Sequence, residues 1–332
     1  MYEAIKTRVD DAELIVIIQP ENPDGDSLGT SIALEHILSD LGKEVTMFCA
    51  IDMPKYLRYI DGWDRVSGDW TGKYDLGIIV DTCAEALLVK AVETPGFRHF
   101  AETHPVLVLD HHNEGGEEGD ADSLTFPHEL VMDESAAATS ELVLDIAATF
   151  NWPVSAEAAS ALFASLQADT LGLTTHAVGA RQYETATKLV QLGANPSHLE
   201  EKRREFMKKP ADILAYKGEL IGRVEYYLDG KLATVHIPWE DIEKYSDKYN
   251  PSVLVLDEMR LVEGVEVAVA IKTYPDGKLT GKIRSNTPVA DQVAGYFGGG
   301  GHSYAAGFKI YEHYDTTLHE LVKACDTITR KA

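Results

Sequence analysis

The chain has 332 residues, 45% of them apolar, enough for two domains with separate cores. Its 30 Lys and Arg stand against 54 Asp and Glu, and a net charge of −24 disfavours long nucleic acid, whose binding rests on phosphate neutralisation. No apolar run reaches the roughly 18 residues that span a bilayer, the first residues do not read as a signal peptide, and three cysteines (Cys49, Cys83, Cys325) without a CxxC pair suit a reducing cytoplasm.

The first half alternates apolar runs with helical patterns, which implies βαβ units and a mainly parallel sheet. Leu14–Ile18 reads as a buried strand and leads into Pro23-Asp24-Gly25-Asp26. Residues 27–41 follow as a helix, with Leu34, Ile37, Leu38 and Leu41 at helical spacing and Gly42 just past its end. Glu44–Phe48 is a second strand, and Leu76–Val80 is a third that ends on Asp81. Residues 106–109 form a fourth, followed by Asp110-His111-His112. Helices are expected over 135–150, 155–168 and 180–192, the second capped by Ser155.

The character changes at Gly193-Ala194-Asn195-Pro196. Hairpin-like strands are expected at 221–228 and 231–237 around Asp229-Gly230, and at 265–273 and 278–284 around Pro275-Asp276-Gly277. Helical segments at 289–297 and 317–330 flank a glycine run. The division expected is an α/β domain over 1–192, a hinge over 193–215 and a smaller α+β domain over 216–332.

Three buried-type strands deliver acids or imidazoles at their carboxyl ends, where an open α/β sheet builds its ligand site. Aspartate and neutral histidine suit Mn2+, Fe2+, Co2+ or Zn2+. Gly25 would let the backbone bend so that Asp24 and Asp26 converge. Taken alone, that pair is explained equally well by Asp26 or Ser27 capping the helix; the acids at the other strand ends turn the reading toward metal. Asp110 can fix the tautomer of a neighbouring imidazole. Asp169 ends a helix where the dipole disfavours an acid, which suggests a cation nearby. Two divalent ions about 3.5–4 Å apart would suit hydrolytic phosphoryl transfer.

Near the end lie Gly298-Gly299-Gly300-Gly301-His302-Ser303-Tyr304-Ala305-Ala306-Gly307. Such a run leaves backbone N–H groups open to an anion, and Arg284 offers a planar fork for phosphate. The competing reading is a surface loop. Lys202, Arg203, Arg204, Lys208 and Lys209 form a basic island, read first as a solvated helix pairing with Glu200, Glu201 and Glu205. His176 reads as an ordinary loop histidine.

Taken in order, Asn22-Pro23-Asp24-Gly25-Asp26, Asp81-Thr82, Asp110-His111-His112, Asp169-Thr170 and Gly298 to Gly307 resemble the DHH phosphoesterases that carry a DHHA1 domain, of the nano-RNase/pAp-phosphatase type. The resemblance covers nearly the whole chain. It implies an N-terminal DHH domain with a mainly parallel sheet flanked by helices, and a C-terminal α+β DHHA1 domain. It implies one metal site at Asp24 and Asp81 and another at Asp26, Asp81, His111 and Asp169, with Asp81 bridging and His112 beside the nucleophile or scissile phosphate. Arg284, Gly300, Gly301 and His302 would hold the substrate's terminal phosphate or base. The cofactor implied is Mn2+, with Mg2+ or Co2+ able to substitute. The substrates implied are short RNA oligonucleotides, linear dinucleotides such as pApA or pGpG, or pAp, and the assembly implied is a homodimer. One position departs from the pattern: Pro20 stands where the family carries a histidine. Proline offers no side-chain ligand, so weak occupancy of the first site is expected, and a nucleotide-binding protein with weakened catalysis is the competing reading.

Overall fold

The structure, a computed structural model, describes residues 2–112 and 122–330. The chain forms two compact units that divide between Lys208 and Lys209.

The first unit runs α1 (Glu3–Asp11), β1 (Leu14–Ile18), α2 (Gly25–Asp40), β2 (Glu44–Phe48), β3 (Leu76–Val80), α3 (Val89–Glu93) and α4 (Phe97–Thr103). It continues through β4 (Val106–Asp110), β5 (Glu129–Met132), α5 (Thr139–Phe150), α6 (Ala156–Asp169), α7 (Ala180–Gln191) and α8 (Pro196–Phe206). The five strands pair in the order β2-β1-β3-β4-β5, all parallel. Chain direction across the sheet reverses between β1 and β3, the switch point beside which such sheets bind ligands.

Both faces of this sheet are apolar because both are covered. Ile15, Ile17, Ile78, Val80, Leu107 and Leu109 share a core with residues of α2, α5 and α6. Val16, Ile18, Ile79 and Val108 pack on the other side with Phe97 and Phe100 of α4. The three central strands β1, β3 and β4 therefore read as near-continuous apolar runs without alternation.

The contact between α2 and α6 is unusually close, and Gly25 and Gly29 make it possible. A Cβ on Gly29 would lie 2.6 Å from the Ala161 carbonyl oxygen, and one on Gly25 would lie 2.4 Å from the Ala168 Cβ. Gly25 sits inside the helix and is not among the positive-φ glycines. Its lack of a side chain serves helix packing, a different purpose from the bend expected of it. Gly29→Ala should cost about 1–3 kcal/mol, since backbone on the facing helix must yield. A urea unfolding midpoint equal to that of the wild type would contradict this packing account.

The second unit contains α9 (Ala211–Gly222), β6 (Glu225–Tyr227), β7 (Leu232–Ile237), α10 (Trp239–Tyr245), α11 (Leu256–Arg260) and β8 (Val267–Thr273). Then follow β9 (Lys278–Ser285), α12 (Ala290–Tyr296), β10 (Gly300–His302), β11 (Ala305–Tyr311) and α13 (Tyr314–Thr329). The sheet order is β10-β11-β9-β8-β7-β6, parallel only between β7 and β8. One face packs Val267, Val269, Ile271, Leu279 and Ile283 against α12 and α13. Ala233, Val235, Ala268 and Ala270 face a second core with α9, α10 and α11.

Several local expectations change. The strand expected from residue 221 begins only at Glu225, because α9 runs on to Gly222. The last two glycines of the run, Gly300 and Gly301, enter the edge strand β10, and Gly298 and Gly299 precede it. Residues 193–215 are largely helical, holding α8 and the start of α9. Within α8, Arg203 and Arg204 both bond Glu200 at 2.6 Å, so part of the basic island is spent on helix-spaced pairs. Among the described residues no helix is long and apolar enough to cross a membrane.

Candidate metal centre

The turn after β1 opens α2, and Asp24 is its N-cap. The Asp24 Oδ1 accepts from the Asp26 N–H at 2.9 Å and the Ser27 N–H at 3.0 Å, while the Ser27 hydroxyl accepts from the Asp24 N–H at 2.9 Å. The capping expected of Asp26 or Ser27 thus falls to Asp24, with Ser27 as the reciprocal partner. Asp26 is released for other work in the first helical turn. It is fully buried, its Oδ1 accepts from the hydroxyls of Thr30 (3.1 Å) and Ser165, and its Oδ2 accepts from the Thr139 N–H at 2.7 Å.

Asp81 leaves β3 with φ of 63°, a left-handed conformation that few non-glycine residues hold without a reason. Its N–H donates to the Leu109 carbonyl at 2.8 Å, and its Oδ1 accepts from the Thr139 hydroxyl at 3.2 Å. Thr139, at the start of α5, therefore aims two carboxylates at once.

Asp110 ends β4 and gathers the next two residues. One of its oxygens accepts from the N–H groups of His111 (2.8 Å) and His112 (3.2 Å) and from the His112 Nδ1 at 2.7 Å. A carboxylate only accepts, so the His112 Nδ1 carries the proton. His111 turns its Nδ1 to the Ala136 carbonyl at 3.3 Å, which likewise fixes the proton there. Its Nε2 is then directed at oxygens of Asp169 (3.2 Å), Asp26 (3.5 Å) and Asp81 (3.6 Å). This nitrogen is buried and has no hydrogen-bond partner among the described residues.

A lone pair facing three carboxylates is repulsive unless a cation or a proton lies among them, and the titration behaviour follows from that crowding. Burial, then the charges of Asp26 and Asp24, push Asp81 well above the usual carboxylate value. Burial also raises Asp169, to about 6, against the pull of His111. For His111, burial works against the charged ring, yet Asp169 and Asp26 outweigh it and lift the imidazole to about 9. Asp110 is the exception: burial would raise it, but the bonds from His112 prevail and hold it below its usual value.

Ligand atoms of Asp26, Asp81, His111 and Asp169 all lie within 4.8 Å of one another. Three carboxylates and one imidazole are a hard-to-borderline set that fits Mn2+, Co2+ or Mg2+. A smaller group, Asp81, His111 and His112, shares two of these donors. Asp24 stands outside both sets, although its charge is felt at Asp81 and Asp169. The Pro20 carbonyl accepts from the Cys49 thiol at 3.5 Å. Of the residues that could stand in for the family histidine, Glu21 bonds the Lys90 N–H and His176 is exposed, whereas Gln19 is 1% exposed with both amide atoms unpartnered among the described residues.

In the second unit, Arg284 lies on β9 opposite Ala305 and Ala268. Lys282 and Thr280 share its face by strand alternation. A cavity of about 480 Å³ on this unit is lined by Lys272, Lys282, Lys309, Gly298 and Gly299. Burial lowers the Lys272 and Lys282 ammonium groups, and the adjacent cation lowers each further. Concentrated positive charge in an acidic chain is a setting for an anion. The glycines divide by cause. A Cβ at Gly299 would sit 2.2 Å from the Gly307 oxygen, and one at Gly301 would sit 2.7 Å from the Ala305 oxygen, so both are small for packing. Gly300 meets nothing within 4 Å, which leaves close approach of a ligand as a reason for its bareness. His302 occupies β10 opposite Ala305.

Sequence reasoning missed Thr139, Ser165 and Ala136, which carry the ligands' orientation, and the lysines beside Arg284. The small-residue run Ala136-Ala137-Ala138 before a helix-starting threonine was the available signal for the first group.

A parallel sheet whose strand ends gather acids and imidazoles, carried with a mixed-sheet unit bearing a basic face, defines a phosphoester hydrolase. Residues 14–168 match the DHH family, N-terminal domain, and residues 244–331 match the DHHA1 domain. The chain belongs to the DHH/DHHA1 phosphoesterase family. A Thermus thermophilus protein described as bifunctional oligoribonuclease and PAP phosphatase NrnA is 29% identical over 298 residues, spanning 88% of this chain and 83% of its own. A Bacillus subtilis protein of the same description is 22% identical and spans 94% of this chain and 95% of its own. In three dimensions the chain is similar to an exopolyphosphatase-related protein from Bacteroides fragilis, with a TM-score of 0.80, 20% identity, and 99% and 95% of the two chains covered.

Proposed function

We propose that this chain is a Mn2+-dependent phosphodiesterase that hydrolyses short oligoribonucleotides or linear dinucleotides such as pApA and pGpG to mononucleotides, with pAp 3′-phosphatase activity as a second capacity. One observation carries the reading: the buried, unpartnered His111 Nε2 directed at Asp26, Asp81 and Asp169. The substrate class is supported by the relatives described as oligoribonucleases over most of both chains.

Asp26, Asp81, His111 and Asp169 would hold the ion. A divalent cation there supplies a lowered water pKa and neutralises charge on phosphoryl oxygens. His112 has its Nδ1 proton committed to Asp110 and a half-exposed ring, and we assign that ring to the phosphoryl or leaving oxygen. The second unit would hold a terminal phosphate through Arg284, with the Gly300 backbone and Lys282 beside it and His302 at the base or phosphate. The surface charge of −24 favours short substrates over long strands. We place the protein in the cytoplasm, in keeping with three buried cysteines that form no disulfide among the described residues.

The test is hydrolysis of pApA, pGpG, pAp and longer oligomers by the Mn2+-loaded chain, with metal content measured in parallel. Turnover should concentrate on the shortest diesters and vanish on chelation. A folded chain that cleaves none of them across Mn2+, Mg2+ and Co2+ overturns the reading.

A further inference from the structure

Three of the four clustered donors take their bearing from one short segment. Ala136 fixes the tautomer of His111, and Thr139 bonds Asp26 through its N–H and Asp81 through its hydroxyl. Residues 136–138 precede the helix, with small side chains that cannot anchor them. Something else must hold this stretch in register with the strand ends.

That anchor is a buried ionic network one layer behind the donors. Glu141, in the first turn of α5, is 1% exposed. Its Oε2 accepts from the Ala137 N–H at 2.7 Å and the Gln182 amide at 3.0 Å. Its Oε1 accepts from the Thr185 hydroxyl at 3.1 Å and lies 3.5 Å from the Arg181 Nε. Arg181 continues the brace, bonding Asp133 at 2.7 Å and Ser135 at 2.6 Å, the residues just ahead of Ala136. The Asp133 N–H in turn donates to the Asp110 carbonyl at 3.2 Å. The segment is thus clamped to α7 from both sides and to the end of β4.

A buried carboxylate bonded on both oxygens is costly to assemble and gains little stability over apolar packing, so a need for fixed geometry is the better account of it. We propose that Glu141, braced by Arg181, Gln182 and Thr185 of α7, is a positioning residue that sets the donor geometry of the metal centre. This inference rests on the metal reading above. Glu141 touches neither ion nor substrate; it acts through Ala136 and Thr139.

The test is calorimetric titration of Mn2+ into the metal-free full chain, with thermal unfolding measured on the same samples. Outer-sphere partners of metal ligands are worth about 10–100-fold in affinity, and Glu141→Gln, which turns an N–H2 group toward existing donors, should weaken Mn2+ by about tenfold at least. Thr185→Val should weaken binding measurably, and Thr185→Ser, which restores the hydroxyl, should return it to the wild-type value. If Glu141→Gln does not fold, the Thr185 pair decides. Folded variants that bind Mn2+ with wild-type affinity, whatever their melting temperature, reduce the network to a stability feature and overturn the proposal. A wild-type chain that binds Mn2+ but cleaves no short nucleotide removes the substrate reading and leaves the brace standing. A wild-type chain that binds no divalent ion removes both.

Discussion

Asp81→Asn should lower hydrolysis of a dinucleotide by about three orders of magnitude, roughly 4 kcal/mol of transition-state stabilisation, while the metal-free chain stays folded. The substitution removes a charged donor from the centre of the cluster and keeps nearly the same shape. Asparagine also tolerates the left-handed backbone at this position better than other replacements do. The stability side has a definite sign. Burial and then the neighbouring aspartates hold the Asp81 carboxyl well above its usual value, so the folded chain keeps this proton to higher pH than the unfolded chain does. Folded stability therefore falls as pH climbs from the ordinary carboxylate value toward the raised one. Asparagine has no proton to lose. In chelator, the variant should melt at or above the wild type at pH 8, and any advantage should shrink at pH 5. Added Mn2+ should stabilise the wild type more than the variant, since the ion binds only the folded chain. Retained activity in Asp81→Asn, or a variant that unfolds in chelator at pH 8, would refute this account of Asp81.

Pro20→His should move the chain in the opposite direction. The family resemblance implies that a histidine here joins Asp24 and Asp81 at the first metal site, and the cap bonds of Asp24 go to its Oδ1. The Pro20 carbonyl that accepts from the Cys49 thiol is kept, and the buried Gln19 amide next door is a polar neighbour without a partner of its own. The expected result is Mn2+ content rising from about one toward two per chain, the count of a two-metal hydrolytic site. Dinucleotide turnover at limiting Mn2+ should rise by about tenfold or more, the lower end of what metal-site partners are worth. Metal analysis and initial rates on the same preparation check both. If the wild type binds dinucleotide tightly without turnover and the variant restores it, the competing reading of a weakened nucleotide-binding protein gains the support. Unchanged metal content with unchanged rates would show that position 20 no longer bears on the site.

The sequence made β1, β3 and β4 legible because buried parallel strands are apolar on both faces and short, with little else they could be. The donors after β3 and β4 were legible for the same reason: a charged residue ending such a run has nowhere to point but the sheet's end. The turn before α2 was harder. Asp24 and Asp26 share a residue type, and only coordinates show that one caps the helix while the other faces Thr139 and Ser165. The helix expected from residue 135 starts at Thr139, because Asp133 and Ser135 are tied to Arg181, a partner 46–48 positions away that no local pattern reveals. β5 was missed because only Val131 among its four residues is buried, leaving no apolar run. The glycine run was legible only in part: Gly299 and Gly301 are small because backbone passes close by, which composition does not reveal, whereas Gly298 and Gly300 meet nothing within 4 Å.

The glycine-lined contact between α2 and α6 has a consequence for ion choice. Asp26 rides on one helix and Asp169 ends the other, so the span between them is set by backbone against backbone, in steps of a single methyl group. Ligands mounted on stiff rods cannot drift outward to suit a larger guest. With the ion held as proposed, calcium, which needs oxygens at about 2.3–2.6 Å and six to eight of them, should compete poorly against ions near the size of magnesium, at about 2.0–2.1 Å. Selectivity by radius would then be set by helix packing at Gly25 and Ala168, the immediate neighbours of Asp26 and Asp169.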